Sequence, residues 1–142
     1  MREYVIYTDG GYSTSSNVGA AAYIVLRAGE EVPLRQGAFI LKNETSQRAE
    51  FQAIIAALRT IPDGSHAEVY TDYLYAALGL GRNPRRKNQP DNDLLLQYRK
   101  IVRWKRLKVE IQWVPGKKRN SWYALCDSLC TEALEQALTG GQ

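Results

Sequence analysis

The chain has 142 residues, 44% of them hydrophobic and 24% charged, a length that suits one domain able to bury about two-thirds of its unfolded surface without disulfide staples. The start, MREYVIYTDGG, has no signal-peptide hydrophobic region and no apolar run nears membrane-spanning length, so a membrane span is excluded and a reducing, cytoplasmic location is expected. The net charge is only +4, but residues 82 to 119 hold thirteen of the nineteen basic side chains against three acids, giving this stretch +10 and the remainder −6. With Trp104 and Trp113 interleaved, the stretch points to a polyanionic partner, nucleic acid first, or else to a solvated basic helix face.

Residues 3 to 9 alternate and are rich in β-formers; 19 to 27 and 32 to 41 read as two further strands, with RAGEE as the turn between them. Thr45 is the expected N-cap of a helix over 46 to 61, closed by the PDG turn at 62 to 64. A strand at 67 to 72, a helical stretch at 73 to 79 and the loop GLGRNPRRKNQPDN follow. The spacing then predicts a helix over 92 to 104, a strand over 107 to 114, a break at PGKKRN and a last helix over 121 to 138, leaving TGGQ as a frayed tail. Three strands followed by alternating helices and strands imply an α/β domain, residues 1 to 142, with one mixed sheet and helices packed on its faces. Cys126 and Cys130 are four apart on a helical face with Ala133, Leu134 and Ala137, the pattern of a buried apolar pair.

The tripeptide Tyr-Thr-Asp occurs twice, each time at the end of a predicted strand, at residues 7 to 9 and 70 to 72. If the two strands are parallel neighbours, Asp9 and Asp72 emerge at one carboxyl edge of the sheet, where ligands of open α/β sheets tend to bind. Gly10 and Gly11 then leave room for a substrate backbone; a simple turn at either aspartate is the plainer reading. Glu50 lies in the middle of the helical stripe made by Ala53, Ile54, Ala57, Leu58 and Ile61, with Arg48, Gln52 and Arg59 on the opposite side. A carboxylate there needs a partner, either a salt bridge or a cation from solution, because burying it alone costs several kcal/mol. Asp127 borders the apolar stripe of the last helix, whereas Glu132 and Glu135 lie further toward the polar face.

Hard divalent cations such as Mg²⁺ take carboxylate, water and phosphate oxygens, and two of them can serve phosphodiester hydrolysis. Four acids opposite a basic half suit that chemistry. No GxxxxGK loop, Gly-x-Ser-x-Gly elbow or Cys/His pair competes with it.

In order and spacing, YTDGG, TSQRAEFQAIIAAL, VYTDYLYA, IQWVPG and CDSLC resemble the type 1 ribonuclease H family from about residue 3 to 138. The resemblance implies a ribonuclease H-like five-stranded mixed sheet in the order 3-2-1-4-5 and hydrolysis of the RNA strand of an RNA/DNA hybrid; a monomer is expected, although the sequence leaves the oligomeric state open. It also implies Asp9, Glu50, Asp72 and Asp127 as carboxylates for two Mg²⁺ ions, with Mn²⁺ as a substitute. By the same resemblance, Thr45 matches a threonine that binds a phosphate of the DNA strand, with Asn17 near the same pocket. Ser46 and Gln47 stand where a polar pair, often asparagines, reads the minor groove.

Two departures stand out. Only about twenty residues separate Asp72 from Asp93, so the basic handle of many members is expected to be largely absent; either Arg85, Arg86 and Lys87 in GRNPRRKN supply a smaller replacement, or hybrids bind weakly. Where many members carry a histidine, this chain reads PGKKRNSWYA; Lys117, Lys118 and Arg119 can contact the departing phosphate but do not shuttle protons near neutral pH, which implies slower turnover. A non-catalytic binding module of the same fold and a related nuclease acting on DNA junctions are the competing readings.

Overall fold

The computed structural model describes residues 3–13, 15–42, 44–71, 92–114 and 121–139. In chain order the described elements are β1 (Glu3–Ser13), β2 (Val18–Arg27), β3 (Arg35–Lys42), α1 (Ser46–Arg59), β4 (His66–Thr71), α2 (Asn92–Trp104), β5 (Lys108–Trp113) and α3 (Ser121–Thr139). The strands form one sheet in the order β3-β2-β1-β4-β5, the order that the family resemblance implies. β1 and β2, and β2 and β3, pair antiparallel, whereas β1, β4 and β5 run parallel.

Alternation along β1 divides the core into two layers. Tyr4 and Ile6 pack with Phe51, Ile54, Leu58 and Val69 on the side covered by α1 and α2. Tyr7 packs with Ala22, Ile24, Tyr123, Cys126 and Cys130 on the side covered by α3. Both cysteines are buried, as the helical spacing predicts, with their sulfurs against main-chain carbonyls: Cys126 Sγ lies 3.6 Å from Tyr7 O and Cys130 Sγ 3.3 Å from Ala20 O.

α1 starts where expected. The Thr45 hydroxyl accepts the Arg48 N–H at 3.1 Å, satisfying one of the donors that a helix N-terminus leaves over. The helix stops at Arg59 rather than residue 61, because Thr60 turns both its N–H and its hydroxyl back to Ala57 O. Gly64 then supplies the left-handed φ of 79° that the PDG turn needs.

Strand boundaries differ from the sequence expectation as well. β1 runs on past Asp9 to Ser13, because Gly19 to Ala22 on β2 continue the antiparallel ladder beside it. β3 begins at Arg35 rather than residue 32, since Pro33 has no N–H to give a ladder and pairing resumes with the Leu34 N–H on Val25 O at 2.8 Å. β4 starts one residue early, taking His66 out of the preceding turn. The helix expected at 73 to 79 lies outside the described residues. Among the described residues, no helix is long and apolar enough to cross a membrane.

Candidate active site

The parallel register of β1 and β4 pairs Tyr7 with Tyr70. Their rings stack at 5.3 Å, and Tyr123 of α3 meets Tyr7 edge-on at 5.2 Å. The next residue on each strand is therefore a threonine facing the opposite layer. Thr8 and Thr71 both donate their hydroxyls to Oε1 of Glu50, at 2.8 and 2.9 Å. Glu50 is only 3% exposed and both threonines are fully buried.

This arrangement supplies a partner that the sequence reading sought elsewhere. Arg48 does point away, as the helical wheel predicts: its guanidinium holds Glu44 at 2.5 Å and grips Asp93 with two bonds of 2.8 Å. But the buried carboxylate has protein donors before any cation arrives. Hydrogen bonds to a charged group contribute about 1.5–3 kcal/mol each, enough to offset much of the cost of burying it. The signal in the sequence was the repeat itself, since the threonine precedes the aspartate in both copies.

The approach of α1 is set by Gly10. A Cβ placed there would lie 2.6 Å from the Glu50 nitrogen and 2.9 Å from the Ala49 carbonyl carbon. The missing side chain therefore lets the first turn of α1 sit against β1 and brings Glu50 within reach of Thr8. Gly11 faces Cys130 and Leu134 at ordinary contact distances. In both directions the protein fills the space that the sequence reading reserved for a substrate.

Between Thr8 and Gly10, Asp9 alternates back toward the α3 layer. It is 6% exposed and pairs with Ala22 inside the β1–β2 ladder, so it sits within a strand rather than at its end. Its position is still special: described β1–β4 pairing stops at Tyr7 and Tyr70, two residues before it. Asp127 is half-buried on α3 while Glu132 and Glu135 are exposed, the distribution that the helical pattern predicts. Burial pushes the Cys126 thiol well above its usual range, and the charges of Asp9, Glu50 and Asp127 push it further.

Among the described residues no group of three or more His, Cys, Asp or Glu side chains stands close enough to hold a metal ion. Asp72, the residue after Thr71, lies outside the described residues. The described donors are nevertheless all carboxylate oxygens, two of them on buried side chains, and that chemistry fits a hard divalent cation completed by water or phosphate.

Of the residues expected to touch substrate, Thr45, Ser46 and Gln47 are exposed at the start of α1, the end of the helix that meets Gly10. Asn17 has a left-handed φ of 54° at the β1–β2 turn, where its Oδ1 accepts the Tyr12 hydroxyl. Arg85, Arg86, Lys87, Lys117, Lys118 and Arg119 all lie outside the described residues.

The chain matches the family model for RNase H over residues 1–135. It belongs to the RNase H family. Family relatives include the ribonuclease H of Syntrophomonas wolfei subsp. wolfei, 31% identical with 95% of this chain and 98% of that protein covered. The ribonuclease H of Caldicellulosiruptor saccharolyticus is 26% identical, with 96% and 99% covered. The N-terminal RNase H domain of rv2228c from Mycobacterium tuberculosis, solved as a fusion with maltose-binding protein, superposes over 100% of both chains with a TM-score of 0.79 at 20% identity, a likeness in fold.

Proposed function

We propose that this chain is a divalent-metal-dependent endoribonuclease that hydrolyses the RNA strand of RNA/DNA hybrids. The observation that carries the reading is the pair of buried carboxylates, Asp9 and Glu50, beside the end of the β1–β4 pairing in an RNase H family fold. A buried acid held by threonine hydroxyls is costly to maintain, and a phosphodiester site with bound cations makes use of it.

Asp9, Glu50, Asp72 and Asp127 would hold two Mg²⁺ ions, with Mn²⁺ as a substitute. Bound there, the metals would neutralise the acids, activate a water and stabilise the leaving oxygen. The protein's own part is positional. Thr8 and Thr71 fix Oε1 of Glu50 and hence the plane of its carboxylate; the β2 ladder fixes Asp9; and α3 carries Asp127. Thr45, Ser46 and Gln47 present polar groups to the hybrid from the start of α1, and Asn17 extends that surface at the hairpin tip. Arg85, Arg86 and Lys87 hold the DNA strand, while Lys117, Lys118 and Arg119 contact the departing phosphate. Because an A-form-like hybrid is read by 2′-hydroxyls and groove shape, little base preference follows.

The test is a time course on end-labelled RNA/DNA hybrid, duplex DNA, duplex RNA, a DNA junction and single strands, with Mg²⁺, Mn²⁺ or chelator. The proposal expects cleavage confined to the RNA strand of the hybrid and lost with chelator. Junction cleavage, or hybrid binding without turnover in either metal, would overturn it.

A further inference from the structure

Beyond the first turn that Asp93 ties to Arg48, α2 turns a basic and aromatic face to solvent. Its inner residues Leu94, Leu95 and Tyr98 are buried in the α1 layer. The outer stripe runs Leu96, Arg99, Lys100, Arg103 and Trp104, all exposed and spaced three or four apart, so they share one side of the helix. Leu96 is 53% and Trp104 69% exposed, and Lys100 Nζ stands 4.2 Å from the centre of the Trp104 ring system. From Leu94 to Val109 there is no acid, while Arg99, Lys100, Arg103, Lys105, Arg106 and Lys108 add six positive charges.

We propose that this face binds single-stranded nucleic acid. An exposed indole offers a stacking platform of the kind that unpaired bases use, and cations along the same helix side offer phosphate contacts. Arg99 and Lys100 lie about one helical turn from Arg103, close to 5.4 Å, a spacing that suits consecutive backbone phosphates of an extended strand. The Lys100 ammonium already lies against the ring, the arrangement of a cation–π pair, so a stacked base would meet both an aromatic surface and a positive charge. A duplex, whose bases are stacked on one another, has no use for the indole.

The face is separate from the proposed active site. Trp104 ends α2 just before β5, whose first residue Lys108 pairs with His66 at the start of β4. Thr71 and Glu50 mark the other end of that strand, five residues or about 17 Å away. α2 packs in the α1 layer, on the side of the sheet that carries Glu50, so the separation lies along the strands, with Trp104 at their amino end. The inference therefore stands independently of the hybrid-cleavage reading.

Fluorescence anisotropy with labelled dT12, with chelator present throughout, tests it. Trp104→Ala should weaken dT12 binding about tenfold, and Arg103→Glu should weaken it and flatten its salt dependence. Affinity for a blunt hybrid should change less than twofold in Trp104→Ala, whereas a hybrid with a single-stranded tail should lose the advantage that the tail gives it. Because Trp104 is largely exposed, circular dichroism should confirm an unchanged fold. The proposal is overturned if dT12 binding survives Trp104→Ala, if blunt hybrid weakens equally, or if polyglutamate competes as well as dT12, the mark of an acidic protein partner.

Discussion

The two ends of the parallel strands carry carboxylates under opposite conditions. At the amino end, Glu3 and Glu110 are exposed and flank His66, at 3.7 and 3.2 Å, with water available to each. Toward the carboxyl end, Asp9 and Glu50 are nearly sealed from solvent, and Glu50 is held by two hydroxyls rather than by a chance neighbour. The same residue type is thus ordinary at one end and expensive at the other. Expense without an obvious structural return is what marks a functional site.

The sharpest way to break this contrast is to remove charge from the buried end. Asp9→Asn or Glu50→Gln should each reduce hybrid cleavage about a thousandfold or more, since each removes a carboxylate proposed to hold metal. Melting temperature should stay level or rise, because a buried amide costs less than a buried charge. Activity within tenfold of the parent in both variants would dismiss the site.

Next in size is the contact that places Glu50. Gly10→Ala pushes a methyl into the backbone of α1, with only 2.6 Å available, and should cost about 1–3 kcal/mol. A thermal melt would show this as a fall of roughly 3–10 °C. An unchanged melt would mean that α1 is free to shift, contrary to a site built by close packing.

The threonines sharpen the comparison further. Thr8→Val or Thr71→Val keeps the volume and removes a donor to a buried carboxylate, so each should cost about 1–3 kcal/mol in chemical denaturation, and serine at either position should restore most of it. Glu110→Gln at the exposed end should cost less than about 1 kcal/mol. Equal losses at the two ends would remove the distinction.

Much of this organisation was legible in the sequence, for identifiable reasons. The succession of strands and helices along the chain follows from periodicity, whereas the sheet order, and with it the parallel placement of the two Tyr-Thr-Asp segments, came only with the family resemblance. Glu50 stood out because a helical wheel shows which side faces the core. The identity of its partners did not, because Thr8 and Thr71 meet it only through the β1–β4 register, a long-range relation that no local window contains. The extension of β1 past Asp9 was hidden for the same reason: Asp-Gly-Gly looks like a turn until β2 pairs with it. Gly10 was read as clearance for a ligand because the sequence does not show that α1 fills that space.

The smallest expected effect concerns the pair that ties α1 to α2. The hydrogen bonds from Arg48, and its charge, hold the Asp93 carboxyl down to about 2, against an ordinary value of 3.8. A carboxyl with a lowered folded-state pKa contributes its stability above the unfolded value and loses it as pH falls through the folded one. The Arg48–Asp93 contribution should therefore be whole above about pH 4 and fade toward pH 2. Asp93 is more than half exposed, so solvent screens the pair and its worth is less than about 1 kcal/mol. Asp93→Asn should lower stability slightly at pH 7, make no difference at pH 2, and matter less in high salt. Denaturation curves at pH 7 and pH 2 measure this directly. A loss at pH 2 as large as that at pH 7 would show that Asp93 acts through the helix N-terminus or packing rather than through its charge on Arg48.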